Sequence, residues 1–135
     1  MTDKILFWMD SNLIYFGLSK FLKENYDAQY YAITDYSEQM KSFFSKQKII
    51  EFEKKWSYRD NVYLQKKKPD IEYLKKFEKK YDIDLWKLAY SERIFYKFNT
   101  YHKFKSDEIL EIFEQECKFF EKVLDEAQPN FLIIK

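Results

Sequence analysis

Near the start of the chain, Ile5-Leu6-Phe7-Trp8-Met9 forms an apolar run with no polar interruption. A run without alternation predicts a short strand buried on both faces, as in a parallel sheet. Asp10-Ser11-Asn12 follows, three residues that cap helix N-termini well. Leu13, Ile14, Gly17, Leu18, Phe21, Leu22 and Tyr26 then recur at helical spacing. Gly17 is the only glycine and costs a helix about 1 kcal/mol relative to alanine. Its presence predicts close packing of this helix on a sheet. Gln29-Tyr30-Tyr31-Ala32-Ile33 reads as a second strand, ended by Thr34-Asp35. Strand, helix and strand in this span predict a βαβ unit with a right-handed crossover.

Beyond Asp35 the pattern turns helical. Ser37 can cap a short helix through Phe43 and Phe44. Lys48–Trp56 fits two readings, since Ile49-Ile50-Glu51-Phe52 suits a strand or a helix start. Ser57–Lys68 reads as a polar connection. Pro69 suits the first turn of a helix that carries Ile71, Leu74, Phe77 and Tyr81. Asp82-Ile83-Asp84 breaks that helix, and Leu85–Phe98 predicts another. Ser106-Asp107-Glu108 begins the clearest helix, with acids in the first turn where the helix dipole favours them. Its stripe is Ile109, Ile112, Phe113, Cys117, Phe120, Val123, Leu124 and Ala127, and Pro129 ends it. Asn130-Phe131-Leu132-Ile133-Ile134-Lys135 then predicts a buried inner parallel strand. The expected fold is α/β and Rossmann-like: a small, mostly parallel sheet flanked by several helices, helix-rich, in one domain over 1–135. In open α/β sheets ligands sit beyond the carboxyl ends of the strands. The chain stops where such a loop should begin, so an incomplete domain, the first part of a larger protein, is expected.

Composition narrows the function classes. Of 135 residues, 46% are hydrophobic and 35% charged, which suits a folded domain rather than a disordered one. With 24 basic and 23 acidic residues the net charge is +1, without the basic excess of a nucleic-acid binder. No nucleic-acid partner is expected, and the lysine runs read as solvated helix faces. The single cysteine, Cys117, excludes an internal disulfide and suits a reducing compartment. No apolar stretch approaches the roughly 20 residues of a membrane span. The expected location is the cytoplasm, with action at the inner membrane face compatible with it.

The chemistry that remains is limited. A P-loop needs two glycines and a dinucleotide fingerprint three, so one glycine excludes both. One cysteine and one histidine cannot build a Cys/His zinc site. No metal and no cofactor are expected. His102, the only histidine, lies in a Thr100-Tyr101-His102-Lys103 loop and reads as a surface residue. Asp10 stands out by position, because it ends the first strand with Ser11 and Asn12 beside it at a helix N-terminus. Free backbone N–H groups there can hold an anion or a sugar hydroxyl, and plain helix capping uses the same residues. Glu92 and Arg93 form a second candidate pair within an aromatic stretch, where arginine can clamp a carboxylate or phosphate, or pair with an acid between helices. Trp56-Ser57-Tyr58-Arg59-Asp60 is a similar but weaker cluster.

These segments together carry a resemblance: Ile5-Leu6-Phe7-Trp8; Asn12 to Leu22 around Phe16-Gly17-Leu18; Pro69-Asp70-Ile71-Glu72-Tyr73-Leu74; Trp86 to Phe98 with Ser91-Glu92-Arg93 and Phe95; and Asp107-Glu108-Ile109-Leu110. In that order they resemble the amino-terminal region of surface-carbohydrate (capsular polysaccharide) biosynthesis proteins of glycosyltransferase type. The resemblance implies paired Rossmann-like domains of the GT-B architecture. This chain would be the acceptor-side domain, without the carboxyl-terminal domain that holds the nucleotide-sugar donor, and inactive alone. It implies a sugar or lipid-linked sugar acceptor, and packing against the missing domain or self-association. It also implies Asp10 as a catalytic base and Ser11, Asn12, Glu92 and Arg93 as substrate-binding residues. A stand-alone α/β module that works by protein–protein or regulatory contact, without catalysis, is the other expectation.

Overall fold

Four parallel strands form one sheet in the order β3-β2-β1-β4. The computed structural model describes residues 1–46, 51–92, 95 and 102–134. The elements are β1 (Asp3–Asp10), α1 (Leu13–Asn25), β2 (Ala28–Asp35), α2 (Glu38–Lys46), β3 (Lys54–Ser57), α3 (Tyr58–Asn61), α4 (Ile71–Tyr81), α5 (Leu85–Ser91), α6 (Ser106–Ala127) and β4 (Phe131–Ile133). This is the expected α/β, Rossmann-like arrangement. The chain steps outward from β1 to β2 to β3, then returns to place β4 on the other side of β1. Strand order therefore reverses between β1 and β4.

The chain divides into two compact units, Met1–Asn61 with Glu121–Lys135, and Val62–Phe120. In the first, strand alternation assigns the two faces of the sheet. Ile5, Phe7, Met9, Tyr30 and Ala32 form the buried cluster of one face, joined by Phe16 and Leu22 of α1 and by Tyr36 and Phe52. Leu6, Ile33 and Trp56 are buried on the other. There Glu126 of α6 pairs with Lys54 and accepts a hydrogen bond from the Trp56 indole at 3.3 Å. The Lys54 hydrogen bond is the main cause that holds the Glu126 carboxyl below the ordinary glutamate value. A depressed folded-state pKa stabilises fully above the unfolded value, and that part is lost as pH falls through the folded one. Wild type is therefore expected to lose stability below about pH 4.5. Glu126→Gln should flatten this part of a urea-midpoint profile against pH, and an unchanged profile would dismiss the clamp.

The second unit is helical. Leu74, Leu85, Ala89, Phe95, Ile109, Phe113 and Cys117 form its core. Asp70 and Asp84 cap α4 and α5 through Tyr73 and Lys87 N–H groups, each at 3.0 Å. Asp82 ends α4 in the left-handed region, φ 53°. At the start of α6, Glu108 reaches back to the Lys105 N–H at 2.9 Å, half of a capping box. Residues 62–70 lie along α6, where the side chains of Gln115, Glu111 and Glu114 accept the N–H groups of Tyr63, Gln65 and Asp70. Glu111, buried within a stripe of apolar residues, is held there through Oε1, while its Oε2 is buried without a hydrogen-bond partner among the described residues.

Several expectations change. β4 is an edge strand, not an inner one, and Phe131, Leu132 and Ile134 are about half exposed. In α1 the side turned inward is Tyr15, Phe16, Ser19 and Leu22, while Ile14 is 71% and Phe21 60% exposed. Gly17 is not at a close approach, since a Cβ there would meet nothing within 4 Å. Pro69 stands just before the Asp70 cap instead of inside the first turn. Of the expected Leu85–Phe98 helix, Leu85–Ser91 forms α5 and Phe95 is helical, while 93–94 and 96–98 lie outside the described residues. Of the ambiguous Lys48–Trp56 segment, Lys54–Trp56 lies in β3 and 48–50 lie outside the described residues.

Candidate functional site

The carboxyl ends of β1, β2 and β3 surround a cavity of about 290 Å³. Met9, Thr34 and Ser57 are register partners, one per strand, and form the last row of the sheet face that lines it. Parallel strands place such a row side by side because their spacing is under 5 Å. The apolar wall is aromatic. Phe44 of α2 lies 5.2 Å from the Phe16 ring of α1 and 5.0 Å from the Tyr36 ring. Burial pushes the Tyr36 hydroxyl up from its ordinary value, with nearby Lys41 opposing that shift.

Charged groups come to the cavity from three elements: Glu38 and Lys41 on α2, Lys55 on β3, and Arg59 and Asp60 on α3. Arg59 Nε donates to Asp35 Oδ1 at 2.9 Å, and Lys41 sits 3.6 Å from Glu38. Lys55 has no ion-pair partner among the described residues. Ser57 Oγ accepts the Asp60 N–H at 3.3 Å, which starts α3 directly after the strand. An aromatic wall with hydroxyls and both signs of charge at the rim is suited to a small polar ring.

Asp10, Ser11 and Asn12 fall where strand order reverses, between β1 and β4. Asp10 Oδ1 accepts the Asn12 N–H at 2.8 Å, and Asn12 Oδ1 accepts the Ile14 N–H at 3.0 Å. Asp10 thus orders the turn and Asn12 caps α1. Removing the cap by Asn12→Ala is expected to cost about 1 kcal/mol. A urea midpoint indistinguishable from wild type would show that the cap contributes nothing. Asp10 is the register partner of Asp35, so the carboxylate that holds Arg59 stands on the adjacent strand end.

The structure brings Asp10, Ser11 and Asn12 together and puts Glu92 in the other unit. There Glu92 caps α5, its N–H bonded to Leu88 and Ala89 carbonyls. Arg93 lies outside the described residues. His102 is exposed on its loop, 3.0 Å from Glu108. The cavity residues Thr34, Tyr36, Lys41 and Lys55 were not legible as a site, because no motif joins them in sequence. Ser57, Arg59 and Asp60 carried a signal, through their place in the Trp56–Asp60 cluster. Among the described residues no helix is long and apolar enough to cross a membrane.

The fold defines the class: an α/β protein with a Rossmann-like parallel sheet. No protein-family model, no curated protein and no solved structure matches the chain.

Proposed function

We propose that this chain is an acceptor-side, Rossmann-like domain of a glycosyltransferase-like protein of surface polysaccharide synthesis, not active alone. The cavity at the carboxyl ends of β1–β3 carries the reading, since its aromatic wall and polar rim suit a sugar ring. Its volume, about 290 Å³, lies just below the roughly 300–1,000 Å³ range of small-molecule sites, which favours one ring over a nucleotide sugar. Donor binding would then belong to a companion domain. The exposed flank of α1 and the apolar edge of β4 are surfaces that such a domain could cover. Asp10 is the residue proposed as general base, at the strand end where a hydroxyl would have to come within hydrogen-bond reach. Ser11 and Asn12, next to it in the turn, are the proposed acceptor-binding residues of this unit. The same exposed surfaces favour a second reading, a module that acts through protein contacts alone.

The test reads the Met9 methyl group, which lines the cavity. In methyl-labelled protein, a monosaccharide panel should shift the Met9 resonance saturably. A panel that leaves Met9 unmoved would remove the sugar reading and leave the contact module.

A further inference from the structure

The charge around the cavity is unevenly satisfied, and this bears on what the ligand carries. Arg59 donates to Asp35 at 2.9 Å, and Lys41 has Glu38 as an exposed partner at 3.6 Å, so each of these cations has an acid beside it. Lys55 comes from β3 two positions before Ser57, on the same sheet face, and has no acid against it among the described residues. The remaining acid of the lining, Asp60, follows Arg59 on α3. Carboxylates at a rim accept hydrogen bonds from hydroxyl groups, whereas an ammonium without an ion-pair partner is matched best by an anion. The two requirements differ, and one ligand meets both: a polyhydroxylated ring that also bears a negative group. A bare anion would leave the aromatic wall of Phe16, Phe44 and Phe52 unused. A neutral sugar would meet Lys55 only through hydroxyl oxygens, a weaker match for a full positive charge than an anionic group.

We propose that the cavity takes a single-ring sugar carrying one phosphate, with Lys55 as the phosphate anchor, Glu38 and Asp60 as hydroxyl acceptors, and the phenylalanine wall under the ring. This rests on the reading of the cavity as a sugar site. The shared chemistry, a ring polyol with one phosphate, occurs both in free sugar phosphates and in lipid headgroups.

The test titrates methyl-labelled protein with glucose 1-phosphate, glucose and inorganic phosphate, following Met9, for wild type, Lys55→Gln and Lys55→Arg. Expected is saturable binding of glucose 1-phosphate at least about tenfold tighter than that of glucose, the size of one hydrogen bond to a charged group. Lys55→Gln should abolish that advantage, bringing the two affinities together, and Lys55→Arg should retain most of it. Equal affinities for glucose and glucose 1-phosphate, or no effect of Lys55→Gln, would overturn the phosphate anchor and leave the sugar site standing. Inorganic phosphate binding as tightly as glucose 1-phosphate would overturn the role of the ring. Silence of Met9 towards all three probes would overturn both the anchor and the site. Sedimentation with phosphatidylinositol vesicles, against phosphatidylcholine vesicles, fixes the source. Binding to the first alone supports the proposal with a headgroup ligand, and binding to neither supports it with a free sugar phosphate when the titration is positive.

Discussion

Replacing Phe7 by alanine is expected to lower the unfolding free energy by about 3–5 kcal/mol, the usual cost of emptying a buried phenylalanine site. Phe7 is 0% exposed and lies mid-strand in β1, which has neighbours on both sides. Its ring stacks against Tyr30 at 6.4 Å and meets Phe52 edge-on at 6.5 Å. Little can collapse into the space, because β1 is fixed by ladders to β2 and β4 and the neighbours are rings with few rotamers. Domains are commonly stable by about 5–15 kcal/mol, so the loss would be a large share of the total. Urea unfolding followed by circular dichroism measures it. A midpoint shift corresponding to less than about 1 kcal/mol would show that the sheet face is not closely packed around this ring. Phe7→Leu keeps most of the apolar volume and should recover much of the difference.

The second large effect concerns association. Ile14, Leu18 and Phe21 recur at four and three residues on α1, and all three are exposed. Phe16 faces α2 through Phe44, so by helical spacing this stripe lies on the opposite flank. Phe131, Leu132 and Ile134 add an apolar edge at β4, whose outer backbone groups pair with no further strand among the described residues. An exposed apolar stripe and an apolar sheet edge are each surfaces that seek a partner. Sedimentation should therefore show concentration-dependent species heavier than the 16.9 kDa monomer. The double substitution Ile14→Lys with Phe21→Lys should return the protein to monomer without lowering the urea midpoint, since both positions are solvated. A wild-type chain that stays monomeric at every concentration tested would remove the companion surface from the functional reading.

Local chemistry made much of the fold legible. The unbroken apolar run at Ile5–Met9 is β1, Asn12 is a cap, and Pro129 follows the end of α6. Capping and turn residues act on backbone groups within a few positions, so they can be read without knowing what lies across the molecule. The candidate site was only half legible. Asp10–Asn12 could be found because a strand end followed by a helix start is a local pattern. The cavity is made of residues from three strand ends and three helices, and its coherence exists only after the sheet has formed.

The sequence by itself determined the alternation of strands and helices, the βαβ start and the absence of phosphate-binding glycine loops. Those properties rest on periodicity, capping and composition, which are local or additive. Only the tertiary structure decided that α1 turns Phe16 and Leu22 inward and leaves Ile14 and Phe21 outward, since both flanks of that helix are apolar. It alone made β4 an edge, because an apolar run states a preference for burial without stating how many strands will flank it. Likewise it alone placed Lys55 beside an aromatic wall. Burial and pairing are set by neighbours distant along the chain, and the fold chooses those neighbours.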